Sequence, residues 1–191
     1  MRKPTLQIII GSTRPGRVGL PVAEWLRDRA VAHGAFEVEL IDLAEVNLPF
    51  MDEPNHPRLG QYLHQHTKEW SATVERADAL VFVTPEYNHG FNAVLKNAID
   101  YLHHEWRYKP VGFASYGGVS AGTRAVQMLK QVVTGLKMLP VVEAVTIPFV
   151  NEFLDEEGRL RPNAVMNQAA DAMLDELARL AATLQGLRAP A

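Results

Sequence analysis

The chain has 191 residues, 47% hydrophobic and 21% charged, and its 19 basic and 22 acidic side chains give a formal net charge of −3. That balance is too mild, and the basic residues too scattered, to indicate nucleic-acid or membrane-surface binding. The absence of cysteine excludes a disulfide framework, a thiol nucleophile and a cysteine-ligated metal or iron–sulfur cluster. No apolar stretch reaches the ~20 residues that span a bilayer. The apolar run after Met1-Arg2-Lys3-Pro4 is too short for a signal peptide, so the expected compartment is the cytoplasm. The length suits one α/β domain over residues 1–191, with an ordered core from about 5 to 185 and a frayed Pro/Ala end.

The first element is a strand around Ile8, Ile9 and Ile10, a β-branched run that fits burial on both faces of a parallel sheet. Pro21 fits the first turn of the next helix, and Val22, Trp25, Leu26 and Ala30 give that helix its apolar side. Phe36 to Leu43 alternates apolar and acidic residues, as expected of a strand at a sheet edge. Residues 44–63, with Pro49, Pro54 and Pro57, read as a long loop. Its Leu48-Pro49-Phe50-Met51 patch either packs locally or covers a ligand.

Leu63, Thr67, Trp70 and Val74 predict a helix, and Ala79 to Thr84 a central strand closed by Pro85. Phe91, Val94, Leu95, Ala98, Ile99 and Leu102 mark one face of a further helix. Lys109 to Ser115 predicts a fourth strand, turned by Tyr116-Gly117-Gly118. Ala121, Ala125, Met128, Leu129, Val132 and Leu136 predict a helix, and Leu139 to Ile147 a fifth strand followed by an irregular stretch. Val165, Ala169, Met173, Leu177, Leu180 and Leu184 define the last helix. Strands alternating with helices imply an α/β fold whose parallel sheet is covered on both faces by right-handed crossovers.

Ligands of such sheets sit beyond the C-terminal strand ends, where the strand order reverses. Three segments leave strands there: Gly11 to Gly19, Thr84 to Gly90 and Ser115 to Gly118. The first feeds a helix N-terminus, whose free amides favour an anion, and Arg14 and Arg17 add two guanidinium forks suited to phosphate. It is not a P-loop, because Arg17 and Val18 stand where Lys and Ser or Thr belong. Nor does it carry the dinucleotide fingerprint, since Thr13 replaces the second Gly. It remains either a loop for a single phosphate or a tight connection with two solvated arginines. In the second segment Tyr87 would edge or stack on a flat ring, Asn88 would meet ring heteroatoms, and the backbone from Glu86 to Asn88 would offer amides. In the third, Gly117 and Gly118 let the backbone approach closely and would stabilise negative charge on a reduced ring.

Gly11-Ser12-Thr13-Arg14, Thr84-Pro85-Glu86-Tyr87-Asn88, Leu95-Lys96-Asn97-Ala98-Ile99-Asp100 and Ser115-Tyr116-Gly117-Gly118 together resemble the NADPH-dependent FMN reductase family. That resemblance implies a flavodoxin-like fold, a three-layer sandwich with a five-stranded parallel sheet in the order 2-1-3-4-5. It implies FMN as cofactor and NADPH (or NADH) as co-substrate. FMN phosphate contacts would come from Ser12, Arg14, Arg17, Val18 and Gly19, the last through backbone alone. Ring contacts would come from Pro85, Glu86, Tyr87, Asn88, Ser115, Tyr116, Gly117 and Gly118. Members include quinone, azo-dye and chromate reductases. The implied reaction passes a hydride from NADPH through FMN to a small-molecule electron acceptor by a ping-pong mechanism, with no protein acid or base. An arginine of the first loop not committed to FMN would meet the NADPH 2′-phosphate.

Relatives assemble as homodimers or homotetramers, and the aromatic segment Tyr101 to Tyr108 fits either a partner surface or this chain's own core. No catalytic triad, carboxylate pair or metal site is legible. His64 and His66 fall at a helix start, His103 and His104 diverge on a helix, and His89 beside the middle loop is the one histidine placed to meet a substrate. Two readings from other classes stay open, a flavodoxin-type electron carrier and a redox-sensing flavoprotein. The mild charge argues against the carrier.

Overall fold

The computed structural model describes residues 2–188; Met1 and the Pro/Ala end at 189–191 lie outside the described residues. Strands β1 (Thr5–Ile10), β2 (Glu37–Asp42), β3 (Ala79–Pro85), β4 (Pro110–Tyr116) and β5 (Leu139–Ile147) form one sheet in the order 2-1-3-4-5. Every pairing in it is parallel. The helices are α1 (Gly19–His33), α2 (Leu43–Val46), α3 (Gln65–Glu75), α4 (Ala93–Asp100), α5 (Thr123–Gly135) and α6 (Ala164–Arg188). This is the flavodoxin-like arrangement.

β1 shows why the sheet must be covered twice. All of its residues are buried, and successive side chains point to opposite faces. Ile8 and Ile10 pack with Val22 and Leu26 of α1 and with Met173 and Leu177 of α6. Ile9 turns the other way, into a core with Phe82, Leu95 and Ile99. Each such aliphatic side chain, fully buried, contributes about 1.5–3 kcal/mol relative to exposure. β2 is only partly buried, as an edge strand should be.

The structure decides one local alternative and corrects several other expectations. Tyr101 and Trp106 are fully buried, with Trp106 edge-on to Trp70 and Phe82, so this aromatic segment serves the chain's own core. His103 and His104 lie after α4 in a non-helical turn rather than on a helix. The inward stripe of α6 runs through Met166, Ala170, Met173, Leu174, Leu177, Ala181 and Leu184. Val165, counted in that stripe from sequence, is 72% exposed. Ala121 precedes α5 in a left-handed conformation, and Met128 points outward. The 44–63 segment holds the end of α2 and a short 3-10 turn, Pro57–Leu59. It is tied to α4 by Asn97 Nδ2 and Tyr101 Oη, which both donate to Pro49 O at 2.7 and 3.1 Å. Phe50 does not pack locally: it is 82% exposed.

Candidate functional site

The chain leaves β1 to one side to form β2 and returns on the other side as β3, so the order reverses between β1 and β3. A crevice opens beyond their C-terminal ends. Gly11 begins the loop there. Its N–H donates to Val83 O at 2.9 Å, and a Cβ on it would lie 3.2 Å from Leu95 and from Val83 O, so the close approach favours glycine. Arg17 then folds back over the loop. It donates to Ser12 O at 2.6 Å and forms a two-pronged pair with Asp42, at 2.6 Å to Oδ1 and with a second contact to Oδ2. The hydrogen bond to Asp42 raises the Arg17 pKa, and burial partly opposes it. Of the two loop arginines, Arg17 is therefore engaged in holding the loop, while Arg14 lines the crevice.

The middle segment is a tight hairpin. Tyr87 and Gly90 exchange both backbone hydrogen bonds at 3.0 Å, with Asn88 and His89 in left-handed conformations between them. Asn tolerates that conformation better than most residues, which is one reason for its place at 88. The hairpin holds Tyr87 toward the first loop, where its hydroxyl stands 3.3 Å from Ser12 Oγ.

Glu86 points elsewhere. Its side chain is 6% exposed and accepts hydrogen bonds from Ser120 Oγ at 3.1 Å, Arg124 N at 3.1 Å and Arg124 Nε at 2.5 Å. Burial disfavours the Glu86 anion, but the bonds from Arg124 and Ser120 outweigh it and hold the carboxyl below the usual range. Glu86 thus caps α5 from outside, because the residue before that helix is Gly122, which has no side chain to do so. The remaining arm of Arg124 donates to His89 Nε2 at 2.9 Å, which requires that nitrogen to be unprotonated.

Gly117 and Gly118 form the third wall. The Gly117 N–H donates to Ile147 O at 3.2 Å, so of the two expected amides only that of Gly118 lacks an acceptor among the described residues. Their carbonyls accept from Val150 N and Phe149 N, both at 3.3 Å. These bonds dock a fourth segment, Phe149 to Glu152, which was read from sequence only as irregular. Parallel pairing brings the end of β5 to the same rim as β1, β3 and β4, and that was the signal available for it.

The resulting cleft has a volume of about 460 Å³. Arg14, Val18, Pro85, Glu86, Tyr87, Tyr116, Gly117 and Gly118 line it, together with Phe149, Val150, Asn151 and Glu152. Ser12, Arg17, Gly19, Asn88 and Ser115 lie outside its lining, although Ser12 touches Tyr87. A larger cavity, about 800 Å³, opens at the opposite strand ends beside Asp78, Lys109 and Arg188. There Lys109 Nζ donates to Val74 O at 2.6 Å, and Asp78 meets Arg2 and Arg188 at 2.8 and 3.1 Å, while Arg107 Nε is buried without a hydrogen bond among the described residues. No helix among the described residues is long and apolar enough to cross a membrane.

Comparison with known proteins identifies the family. The sequence profile of the NADPH-dependent FMN reductase family matches residues 4–152. An NAD(P)H-dependent FMN reductase of Schizosaccharomyces pombe is 42% identical over 149 residues, covering 76% of this chain and 74% of that protein. An FMN-dependent NADPH-azoreductase of Staphylococcus aureus is 29% identical over 130 residues, 68% of this chain and 69% of that one. Among solved structures, the flavoenzyme NAD(P)H:(acceptor) oxidoreductase FerB of Paracoccus denitrificans superposes with a TM-score of 0.75 at 19% identity, covering 94% of this chain and 98% of that one. At that identity the superposition speaks for the fold alone. With its profile matched over most of its length and a relative this similar, the chain belongs to the NADPH-dependent FMN reductase family.

Proposed function

We propose that the rim cleft binds FMN and that the protein is an NAD(P)H-dependent reductase of a quinone-like or other small acceptor. The observation that carries this reading is the meeting of four strand-end segments around one cleft, with Ser12 of the first 3.3 Å from Tyr87 of the second. The residues present suit a phosphorylated flavin. Val18 gives α1 no side-chain cap, so the first amides of that helix are free to meet an anion. One hydroxyl of the cleft lining, Tyr116 Oη, is buried without a hydrogen bond among the described residues.

When bound, FMN would supply the two-electron redox chemistry between NAD(P)H and the acceptor. The chain's own part is placement and electrostatics. Ser12, Arg14 and the backbone at Val18 and Gly19 would hold the phosphate, and Arg17 holds the loop that presents them. Pro85, Tyr87, Asn88 and the backbone from Ser115 to Gly118 would bound the ring. Glu86 fixes the hairpin in place, and the Gly118 amide would favour negative charge on the ring. If both substrates use one face of the bound ring, the kinetics would be ping-pong, seen as parallel lines when initial rates are measured against both substrates.

Exposed Phe50, Leu59 and Leu63 on the 44–63 segment support a homodimer or homotetramer, which light scattering of the purified protein tests. A cytoplasmic location is consistent with the absence of cysteine. The direct test of function is reconstitution with FMN followed by anaerobic addition of NADPH or NADH. Rapid bleaching of the flavin supports the reductase. A bound flavin that neither nucleotide bleaches contradicts it and favours an electron carrier.

A further inference from the structure

Tyr116 ends β4, which is separated from β1 by β3, yet its ring reaches across to the first loop. Its hydroxyl stops against the first residue of α1: a Cβ placed on Gly19 would lie 2.7 Å from Tyr116 Oη. Any side chain at 19 would therefore displace this oxygen. Tyr116 is 5% exposed, and Oη makes no hydrogen bond within 3.5 Å among the described residues; its polar neighbour, the Ser12 hydroxyl, is already paired with Tyr87. A buried hydroxyl left unpaired is costly, so a native fold that keeps one calls for a reason.

The surroundings supply it. α1 is 15 residues long, and neither its N-cap Val18 nor any acidic residue in its first turn offsets its positive end. Burial pushes the phenol above its ordinary pKa, with Ser12 and Arg17 opposing only in part, so Tyr116 remains a protonated donor.

We propose that the Tyr116 hydroxyl completes an anion cradle at the N-terminus of α1 and is the donor by which this site distinguishes a phosphorylated flavin from an unphosphorylated one. The assignment rests on the flavin reading above. It places the side chain at the phosphate and leaves only the Tyr116 backbone, with Gly117 and Gly118, at the ring. It also explains Gly19, since glycine alone leaves room for the oxygen.

Tyr116→Phe removes the oxygen and keeps the ring. Calorimetric titration of wild type and variant with FMN and with riboflavin tests the assignment. FMN should bind about ten- to a hundredfold more weakly to the variant, as for loss of a charge-assisted hydrogen bond. Riboflavin affinity should not change, and the ligand-free variant should melt no lower than wild type. Equal FMN affinities, or parallel losses for both flavins, overturn the assignment. A wild-type protein that takes up neither flavin overturns the flavin reading itself and this assignment with it.

Gly19→Ala gives an independent arm. In the wild-type background its methyl displaces Oη and should weaken FMN binding. In the Tyr116→Phe background the nearest remaining contacts are 3.4 Å to Ile10 Cγ2 and 3.5 Å to the ring, so it should weaken FMN no further. Fully additive losses overturn the proposal.

Discussion

The Ser12 and Tyr87 hydroxyls stand 3.3 Å apart although 75 residues separate them in sequence. Their contact fastens the loop after β1 to the hairpin after β3. The loop proposed to hold the phosphate and the hairpin proposed to bound the ring thus share one wall.

Arg14 is the arginine of the first loop that faces the cleft. Arg14→Ala should lower FMN affinity by about 1.5–3 kcal/mol, as for loss of a charge-assisted phosphate contact, and leave riboflavin binding unchanged. Calorimetric titration with both flavins decides it, and an unchanged FMN affinity removes Arg14 from the phosphate site.

Arg17 and Asp42 should behave as one unit. Their side chains are 16% and 10% exposed, and Asp42 also accepts from Ala44 N at 2.9 Å at the start of α2. Arg17→Ala and Asp42→Asn should each cost about 1–3 kcal/mol of stability, with the double variant well short of the sum. Urea denaturation of all four proteins measures the coupling. Strict additivity would show that the pair does not hold the loop.

Glu86 couples the hairpin to α5. Glu86→Ala should leave Arg124 N and Ser120 without their acceptor, cost about 1–3 kcal/mol and weaken FMN binding through both ring walls. Because the folded-state carboxyl is held below its ordinary value of 4.5, its contribution is present above that pH and fades as pH falls below it. The stability difference between wild type and Glu86→Ala should therefore shrink in acid. A difference independent of pH would contradict the clamp.

Lys109 gives an alkaline signature of opposite sense. Burial pushes its pKa from 10.5 down to about 8 in the folded protein. Between those values the unfolded chain binds the extra proton, so stability rises with pH, by an upper bound of about 3 kcal/mol. Tyr101 works against this at higher pH: burial and then Asp52 raise it to about 12, and its stabilisation is lost as pH climbs from 10 to that value. Denaturation followed from pH 8 upward should show stability rising first and then falling, and Lys109→Met should flatten the rise. A rise that survives that substitution would contradict the assignment.

The strands that place the site were legible because burial on both faces leaves long apolar runs, as in Ile8-Ile9-Ile10 and Leu80-Val81-Phe82-Val83. Pro85, the glycines and the arginines marked the loops. The partners that fix those loops were not legible. Arg17 reaches Asp42 and Glu86 reaches Arg124, 25 and 38 residues away, and nothing local distinguishes a tethered arginine from a free one. The α6 stripe was misphased because Val165 and Met166 are both apolar and only packing against β5 and α1 selects between them. Phe149 to Glu152 escaped notice because a wall built largely from backbone hydrogen bonds carries little side-chain pattern.

Backbone hydrogen exchange with and without FMN tests the placement of the cofactor most directly. Protection gained on adding FMN should be confined to residues 12–20, 86–90, 117–122 and 149–152, the segments that enclose the rim cleft. Protection centred instead on Asp78, Lys109 and Arg188 at the opposite strand ends, or none at all, would contradict the account.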